Sequence, residues 1–434
     1  MADGRRLLVF DLTAHIHLPA FLEFLVTAWA AEDRPGALDL LVHPSFLTQH
    51  ADVVARGAAA RRGRVRFLTI SDAEHRQRRA HELQALDPRA RRPLTSFASL
   101  VRGSVETEAL SYDWRLLQAY AGRLRPDGVL IVHLDTYLPL LAGGLVPPAA
   151  LAGIFFNPRF HQIEAGEGDE RPAPLTLHQK FLLARTLRQP AVRRVFFLDP
   201  FAAEAARGMP HGEKVRYLPD PVPANTASPA AVAALRARLG VDAQRRVLLM
   251  FGHLTPRKGC DGLLAALAQV PADICRSLSL VLAGPLRRAY EPTLEAGIAA
   301  LCAARPLQCI RQYGYVPQEE VATYFRLADL VLAPYPNHTA SSGIVLLAAA
   351  AQRPVLATHR GLAGAFVRRH RLGLAVDATR PEAIAAAVAR WHAGLSPDDA
   401  DPAEMRRFAD AHAVQHFTTA VLDAFADTAR EDRP

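Results

Sequence analysis

The sequence predicts an α/β protein built from two doubly wound, parallel-sheet domains in tandem. Three observations carry this. Short apolar runs rich in Leu, Val and Phe alternate with segments of helical apolar spacing along the chain. The alternation breaks once, at the proline-rich stretch YLPDPVPANTASPA (217–230), then restarts, which reads as a linker between two similar halves. The chain of 434 residues is also long enough for two sizeable cores, with half its residues hydrophobic and 22% charged.

In the first half, RLLVFDL (6–12) reads as a strand and Pro19 to Ala31 as a helix. LDLLVHP (38–44) and RVRFLTI (64–70) are further strands, followed by an arginine-rich helix and a loop. WRLLQAYAGRL (114–124) has helical spacing, and GVLIVHLD (128–135) is a continuous apolar run of the kind that fills a parallel sheet. GIFFNP (153–158) is a strand, GEGDERPAP (166–174) a polar loop, 175–188 a helix and RRVFFLDP (193–200) a strand.

The second half repeats the plan. VAALRARLG is a helix ending at Gly240. RRVLLMFG (245–252) is a strand running into HLTPRKG, and CDGLLAALAQV is the helix after it. LSLVLAGP (278–285), CIRQYGYV (309–316) and LVLA (from 330) are strands, with helices at YEPTLEAGIAALCAA and QEEVATYFRLA between them. A loop, an alanine-rich helix and a strand after Pro354 follow. GLAVD and RPEAIAAAVARWHAG complete the unit, and 402–427 reads as a last helical segment.

Composition excludes several classes. Cys260, Cys275, Cys302 and Cys309 are scattered without a CxxC pair, which argues against a zinc site or a disulfide framework and for a reducing compartment. The N-terminus does not read as a signal peptide, because Asp11 and the His15–His17 pair interrupt it. Stretches 136–163 and 330–352 have spanning length, but Pro139, Pro147, Pro148 and the PYPNHTASS break make them read as buried strands with loops, so no transmembrane segment is expected. The net charge is +8, and the lysines are Lys180, Lys214 and Lys258. Heavy use of Ala and Arg fits a bacterial genome of high GC content. Arginine clusters in 56–93, where a solvated face, a patch for anionic membrane and a nucleic-acid patch stay open. With Phe67 its only aromatic, the cluster is a poor stacking surface for nucleic acid, so no nucleic-acid partner is expected.

Two loops carry chemistry. GHLTPRKG (252–259) places Gly252 after a strand and Arg257 and Lys258 before a helix, a plausible phosphate cradle. It is not a Walker A loop, and a solvated turn remains the alternative. The second loop, NHTASSG, holds His338, Thr339, Ser341, Ser342 and Gly343 ahead of a helix. Ser341 or Ser342 stands at the N-cap, and the helix N-terminus would favour an anion. An ordinary capped helix is the alternative. In the first half, His133 and Asp135 follow a strong strand, and His15 and His17 follow the first. Each is either a ligand-facing group or a structural one. The DDAD run (398–401) imitates a metal-binding pair but reads as a helix-capping loop.

Taken together, FGHLTPRKG, LVLAGP (closed by Gly284), YGYVPQEEVATYFRLADLVLAPY, SSGIVLLAAAAQRPVLA and HRLGLAVDATRPEAIAAAV, spread over 245–390 in that order, resemble the retaining glycosyltransferases of family 4. The resemblance implies a GT-B fold, two Rossmann-like doubly wound domains facing across a cleft. It implies an acceptor-side domain at 1–215, a linker and first helix at 216–240, a nucleotide-sugar domain at 241–398 and a C-terminal helix at 399–434 packing back on the first domain. The diphosphate contacts carry over to Gly252 and Lys258, with His253 where the family has an arginine, whose charge Arg257 could replace. The backbone at Val316 matches the hold on the base, and Ser341, Ser342 and Gly343 match the loop at the diphosphate and donor sugar. Two family glutamates eight residues apart fall on Thr339 and Leu347, neither acidic.

The expected function is transfer of a sugar from a nucleotide diphosphate sugar to an acceptor, with retention, in the cytoplasm. Neither a cofactor nor a metal is expected. Lys258, Arg257, His133 and Asp135 are the candidate catalytic residues. Gly252, His253, Gly284, Val316, His338, Thr339, Ser341, Ser342 and Gly343 are the candidates for the donor, and His15 and His17 for the acceptor. Peripheral contact with the inner face of an anionic membrane fits the arginine cluster. A non-catalytic relative that binds nucleotide or glycan is the alternative.

Overall fold

The computed structural model describes residues 5–12, 18–32, 36–59, 63–86, 105–158 and 174–425. They form two compact units. One comprises the described residues up to Leu218 together with those from Val414 onward; the other is Pro219–Ala413.

The first unit is built on seven strands: β1 (Arg6–Asp11), β2 (Gly36–Val42), β3 (Gly63–Thr69), β4 (Gly128–Ile131), β5 (Ala150–Phe155), β6 (Val192–Phe197) and β7 (Val215–Tyr217). They lie in the order β3-β2-β1-β4-β5-β6-β7, and every pairing is parallel. Parallel strands covered on both faces need apolar side chains on both faces. That is why β1 and β4 read as unbroken apolar runs, and Leu8, Val9, Val129 and Leu130 are fully buried. Helix Leu18–Ala31 covers one face. Helix Val414–Asp423, from the far end of the chain, packs beside it, with the Phe417 ring tilted against that of Phe21 at 4.8 Å between centroids.

The second unit has six strands: β8 (Arg246–Phe251), β9 (Leu278–Gly284), β10 (Gln308–Tyr313), β11 (Leu330–Ala333), β12 (Val355–Thr358) and β13 (Gly373–Val376). They are ordered β10-β9-β8-β11-β12-β13, again all parallel. In this order the chain reverses direction of winding between β8 and β11. The carboxyl ends of those two neighbours therefore open a crevice, the place where doubly wound sheets receive ligands. Among the described residues no helix is long and apolar enough to cross a membrane.

Three helices begin at a capping residue followed by proline: Asp199 before Pro200–Arg207, Ser228 before Pro229–Arg238 and Asp401 before Pro402–Ala411. In each the side-chain oxygen accepts N–H bonds of the first turn, while proline contributes no unpaired N–H of its own.

Four sequence expectations change. GVLIVHLD is a strand only to Ile131; helix Leu134–Ala142 begins where the strand was read to continue. The 217–230 linker opens on the last residue of β7, which pairs with β6, and the units divide at Leu218/Pro219 rather than at 215. The single helix read over 402–427 is two, Pro402–Ala411 and Val414–Asp423. The first of these packs on helix Gly343–Ala350 inside the second unit, so only the second helix joins the first unit. The chain turns between them where His412 O accepts the Val222 N–H at 2.8 Å and Ala413 bridges Val222. Short helices at Phe46–Gln49, Ala51–Ala58, Ala272–Arg276 and Gly361–Arg369 carry too few apolar repeats to be read from periodicity.

Candidate donor site

The second unit brings the two loops together at the β8/β11 crevice. β8 ends at Gly252, whose φ of +100° lies in the region open to glycine. A Cβ there would stand 3.5 Å from Lys258 Nζ, so the missing side chain leaves open the space beside the ammonium. The loop then makes a single 3-10 turn, Pro256–Lys258, and turns into helix Cys260–Leu267 through Gly259. Gly259 has φ +76°, and a Cβ would meet the Pro334 carbonyl oxygen at 2.1 Å. Glycine is thus required where the β8 loop crosses the end of β11. That crossing sets where Lys258 points.

Lys258 Nζ donates to the Tyr335 hydroxyl at 2.8 Å, leaving two of its three N–H bonds outside that contact. Burial, reinforced by the neighbouring Arg257 charge, pulls the Lys258 ammonium down to about 8. An ammonium held where water solvates it poorly gains most from an incoming anion. Tyr335 is 4% exposed, and burial raises its phenol well above the usual range. The Ser342 hydroxyl lies against that phenol, so a chain of polar contacts runs Lys258–Tyr335–Ser342.

Ser342 occupies the N-cap of helix Gly343–Ala350, but its side chain makes no capping bond. The sequence expectation of a serine-capped helix is met in position and corrected in chemistry: the hydroxyl serves Tyr335, and the first N–H groups are left without a side-chain cap. A Cβ at Gly343 would meet nothing within 4 Å, so the helix start is open. Its partial positive charge and the ammonium converge on one crevice.

The other candidates separate into groups. His253 and Arg257 are exposed on the β8 loop. His338 Nε2 donates to the Ser341 carbonyl at 3.0 Å, and its ring meets Tyr335 edge-on at 5.5 Å, so it braces the loop. Thr339 is exposed; its carbonyl accepts the Leu362 N–H, and its Cα packs where a Cβ on Gly361 would be. Leu347 is half-buried on the helix. Gly284 closes β9 so tightly that a Cβ would stand 2.4 Å from the Gly252 oxygen; it shapes the floor of the β8 loop. Val316 is 8% exposed in the loop after β10.

In the first unit, both Asp135 oxygens accept backbone N–H bonds, from Phe156 and Asn157 at 2.8 Å each. His133 Nδ1 is 2.6 Å from the Thr136 hydroxyl, and its ring packs on Phe156. This pair ties helix Leu134–Ala142 to the end of β5, the structural alternative of the two. His15 and His17 lie outside the described residues. In the DDAD run, Asp401 caps helix Pro402–Ala411 and Asp399 pairs with Arg390 at 2.7 Å, as a capping loop should. Three arginines of the basic cluster are engaged internally: Arg56 with Glu23, Arg66 with the fully buried Asp39 at 2.6 Å, and Arg78 with Asp113 at 2.8 Å.

Sequence reasoning missed Tyr335 and Asp220. Tyr335 lay in the quoted PYP break, and its place at the end of a central strand was the available signal. Asp220 comes from the stretch read as linker, and its carboxylate accepts the Ser341 hydroxyl at 2.7 Å. No pattern in the sequence pairs the two.

Comparison with known proteins now bears on this site. Residues 245–393 match the family model described as Glycosyl transferases group 1. The match covers the β8 loop, Tyr335 and the serine loop. The chain is 34% identical over 210 residues to a D-inositol 3-phosphate glycosyltransferase of Thermobispora bispora, a match spanning 47% of this chain and 46% of that protein. It is 27% identical over 321 residues to the protein of that name from Streptomyces griseus, across 68% of this chain and 66% of the relative. The first match thus spans about half the length of the relative. Among solved structures, Anabaena Alr3699/HepE, in complex with UDP and glucose, superposes with a TM-score of 0.64 at 15% identity over 97% of this chain and 99% of that one. Sucrose-phosphate synthase from Thermosynechococcus elongatus gives 0.66 at 16% identity over 99% and 100%. The fold is GT-B, with two Rossmann-like parallel-sheet domains.

Proposed function

We propose that this protein is a glycosyltransferase that moves a sugar from a nucleoside diphosphate sugar to an acceptor. The observation that carries the reading is Lys258: a poorly solvated ammonium at the β8/β11 crevice, beside the open face of Gly252 and linked through Tyr335 to an uncapped helix start. The group 1 match over 245–393 supports it. The curated relatives carry glycosyltransferase names, and HepE was solved with UDP and with UDP-glucose.

In this reading the diphosphate lies against Lys258 and the N–H groups of Gly343 and Ile344, with Arg257 and His253 at its rim. As the glycosidic bond breaks, negative charge grows on the leaving diphosphate and positive charge on the anomeric carbon. Donors fixed before the reaction stabilise the former without reorganising, usually the largest single contribution to catalysis. Attack by the acceptor on the face the diphosphate leaves gives retention, with the leaving phosphate taking the acceptor's proton. This reading uses Asp135 structurally, through the N–H bonds of Phe156 and Asn157 that its two oxygens accept.

The test is turnover. The purified chain is incubated with UDP-, GDP-, ADP- and TDP-sugars and a panel of glycan, lipid-linked and small-molecule acceptors, and nucleoside diphosphate release is followed. Lys258→Ala should lower kcat by roughly 100-fold or more. The residues Thr339 and Leu347, which stand where the resembled family has glutamates, favour a second reading, a protein that holds nucleotide without turnover. Tight nucleotide binding with no release from any donor would decide for it.

A further inference from the structure

We propose that Asp220 and Ser341 form a carboxylate–hydroxyl pair that accepts a hydrogen bond from a hydroxyl of the donor's sugar. The proposal rests on the donor-site reading above and adds to it the part of the site that recognises sugar.

Asp220 lies in the irregular segment Pro219–Asp220–Pro221 that opens the second unit and leads into Val222, which is anchored to His412 and Ala413. The two prolines restrict the backbone on either side of Asp220, and the anchor follows two residues later. Burial raises the Asp220 carboxyl, opposed by the Ser341 hydroxyl and, among the described residues, by no cation. Other buried carboxylates of this protein are matched more fully. Asp39 faces Arg66, Asp113 faces Arg78, and Asp135 takes two backbone N–H bonds. A carboxylate carries about four acceptor positions. Among the described residues Asp220 uses one, on Ser341, which leaves acceptor capacity beyond that bond.

The hydroxyl chemistry then selects the ligand. Ser341 has one proton and two lone pairs, and its proton is committed to Asp220 Oδ2 at 2.7 Å. Ser341 can therefore accept but not donate. A diphosphate oxygen bears no proton at neutral pH and would meet lone pair with lone pair. A sugar hydroxyl supplies the missing proton. Ser341 is also the residue directly before Ser342, the N-cap beside Tyr335, which places the pair next to the diphosphate crevice. A carboxylate from the segment before Val222 thus reaches the serine loop through Ser341 and adds acceptor capacity there.

The experiment is equilibrium binding by the full chain of UDP, GDP and ADP, each compared with its glucose, mannose, galactose and N-acetylglucosamine conjugates where these exist. The readout is the ratio of the nucleoside diphosphate Kd to that of its best conjugate. Ser341→Ala and Asp220→Ala should each lower this ratio at least tenfold while the nucleoside diphosphate Kd changes less than threefold. Asp220→Asn should restore most of it, since the amide oxygen can still take the Ser341 proton. Equal weakening of the nucleoside diphosphate and its conjugate would assign the pair to loop architecture and overturn the proposal. So would an unchanged ratio, or a wild-type protein that prefers no conjugate over its nucleoside diphosphate. If no nucleoside diphosphate binds at all, the donor-site reading fails and this assignment fails with it. Binding with an unaltered ratio sinks this proposal alone.

Discussion

With Lys258 as the proposed charge against the diphosphate, raising the pH should weaken nucleoside diphosphate binding by a predictable amount. In the free protein its ammonium is held near 8 by burial and Arg257. A bound diphosphate restores the charged form, moving the group back towards about 10.4, the ordinary lysine value. The free site is then about nine-tenths protonated at pH 7 and about one-tenth at pH 9, whereas the bound site stays charged, so affinity falls roughly tenfold across that interval. Calorimetric titration of UDP, GDP or ADP at pH 7, 8 and 9 reads the slope directly. Lys258→Arg keeps its charge throughout and should flatten it. Stability should move the opposite way. A base whose folded pKa is depressed costs the native state at any pH below that value, and the cost disappears as pH rises through the unfolded value. Lys258→Met should therefore stabilise the protein by about 3 kcal/mol at pH 7, with the gap closing above about pH 10. The same variant should lose nucleotide affinity by roughly 10- to 100-fold, the worth of a charged hydrogen bond. Binding that is flat from pH 7 to 9 in the wild-type chain would rule out a poorly solvated Lys258 ammonium as the charge at the ligand, as would a Met variant that is less stable at pH 7.

Other outcomes follow from particular contacts. Asp220 has a carboxyl raised to about 6, so the native state holds its proton longer than the unfolded chain and its contribution to stability is lost as pH rises from about 4 to 6. Asp220→Asn should match wild type at pH 4 and exceed it by about 2 kcal/mol above pH 6.5, the full shift being about 3 kcal/mol with some solvent contact retained. Thermal unfolding across that range checks it, and a gap independent of pH would contradict it. Gly259→Ala must both adopt a left-handed φ and displace the Pro334 carbonyl, a cost of roughly 2–4 kcal/mol, visible as a lowered Tm together with weaker nucleotide binding. An unchanged Tm would show that the crossing relaxes freely. In the first unit, Asp113→Asn leaves Arg78 buried with, among the described residues, Glu82 at 2.6 Å as its charged partner. A loss of about 3 kcal/mol by urea denaturation is expected, the lower end for a broken buried pair. A loss below about 1 kcal/mol would place that arginine in better contact with water than its burial indicates.

The parts legible in the sequence were those written in local pattern. Buried parallel strands announce themselves as unbroken apolar runs, and the β8 loop announces itself by a glycine, two cations and a helix start within eight residues. The errors came where tertiary contacts override local pattern. Val132 and Leu134 are as apolar as a strand interior, yet the chain leaves the sheet after Ile131 because the Asp135 carboxylate bonds the N–H groups at the end of β5. The turn at His412–Ala413 has no glycine or proline to mark it and is held by Val222, about 190 residues earlier in the chain. The site's polar wiring is illegible for the same reason. Lys258 meets Tyr335, Ser341 meets Asp220 and Arg78 meets Asp113 across separate elements, and nothing in the spacing of either partner marks the other.

The β8/β11 crevice is proposed to hold a nucleoside diphosphate through Lys258. A thermal-shift screen of the purified chain against UDP, GDP, ADP, TDP and CMP, repeated with Lys258→Ala, tests it most directly, because a ligand that binds only the native state raises Tm with its concentration relative to Kd. One nucleoside diphosphate should raise the wild-type Tm, CMP should not, and the shift should be lost in the variant. No shift with any of them, or a shift of equal size without the lysine, would contradict it.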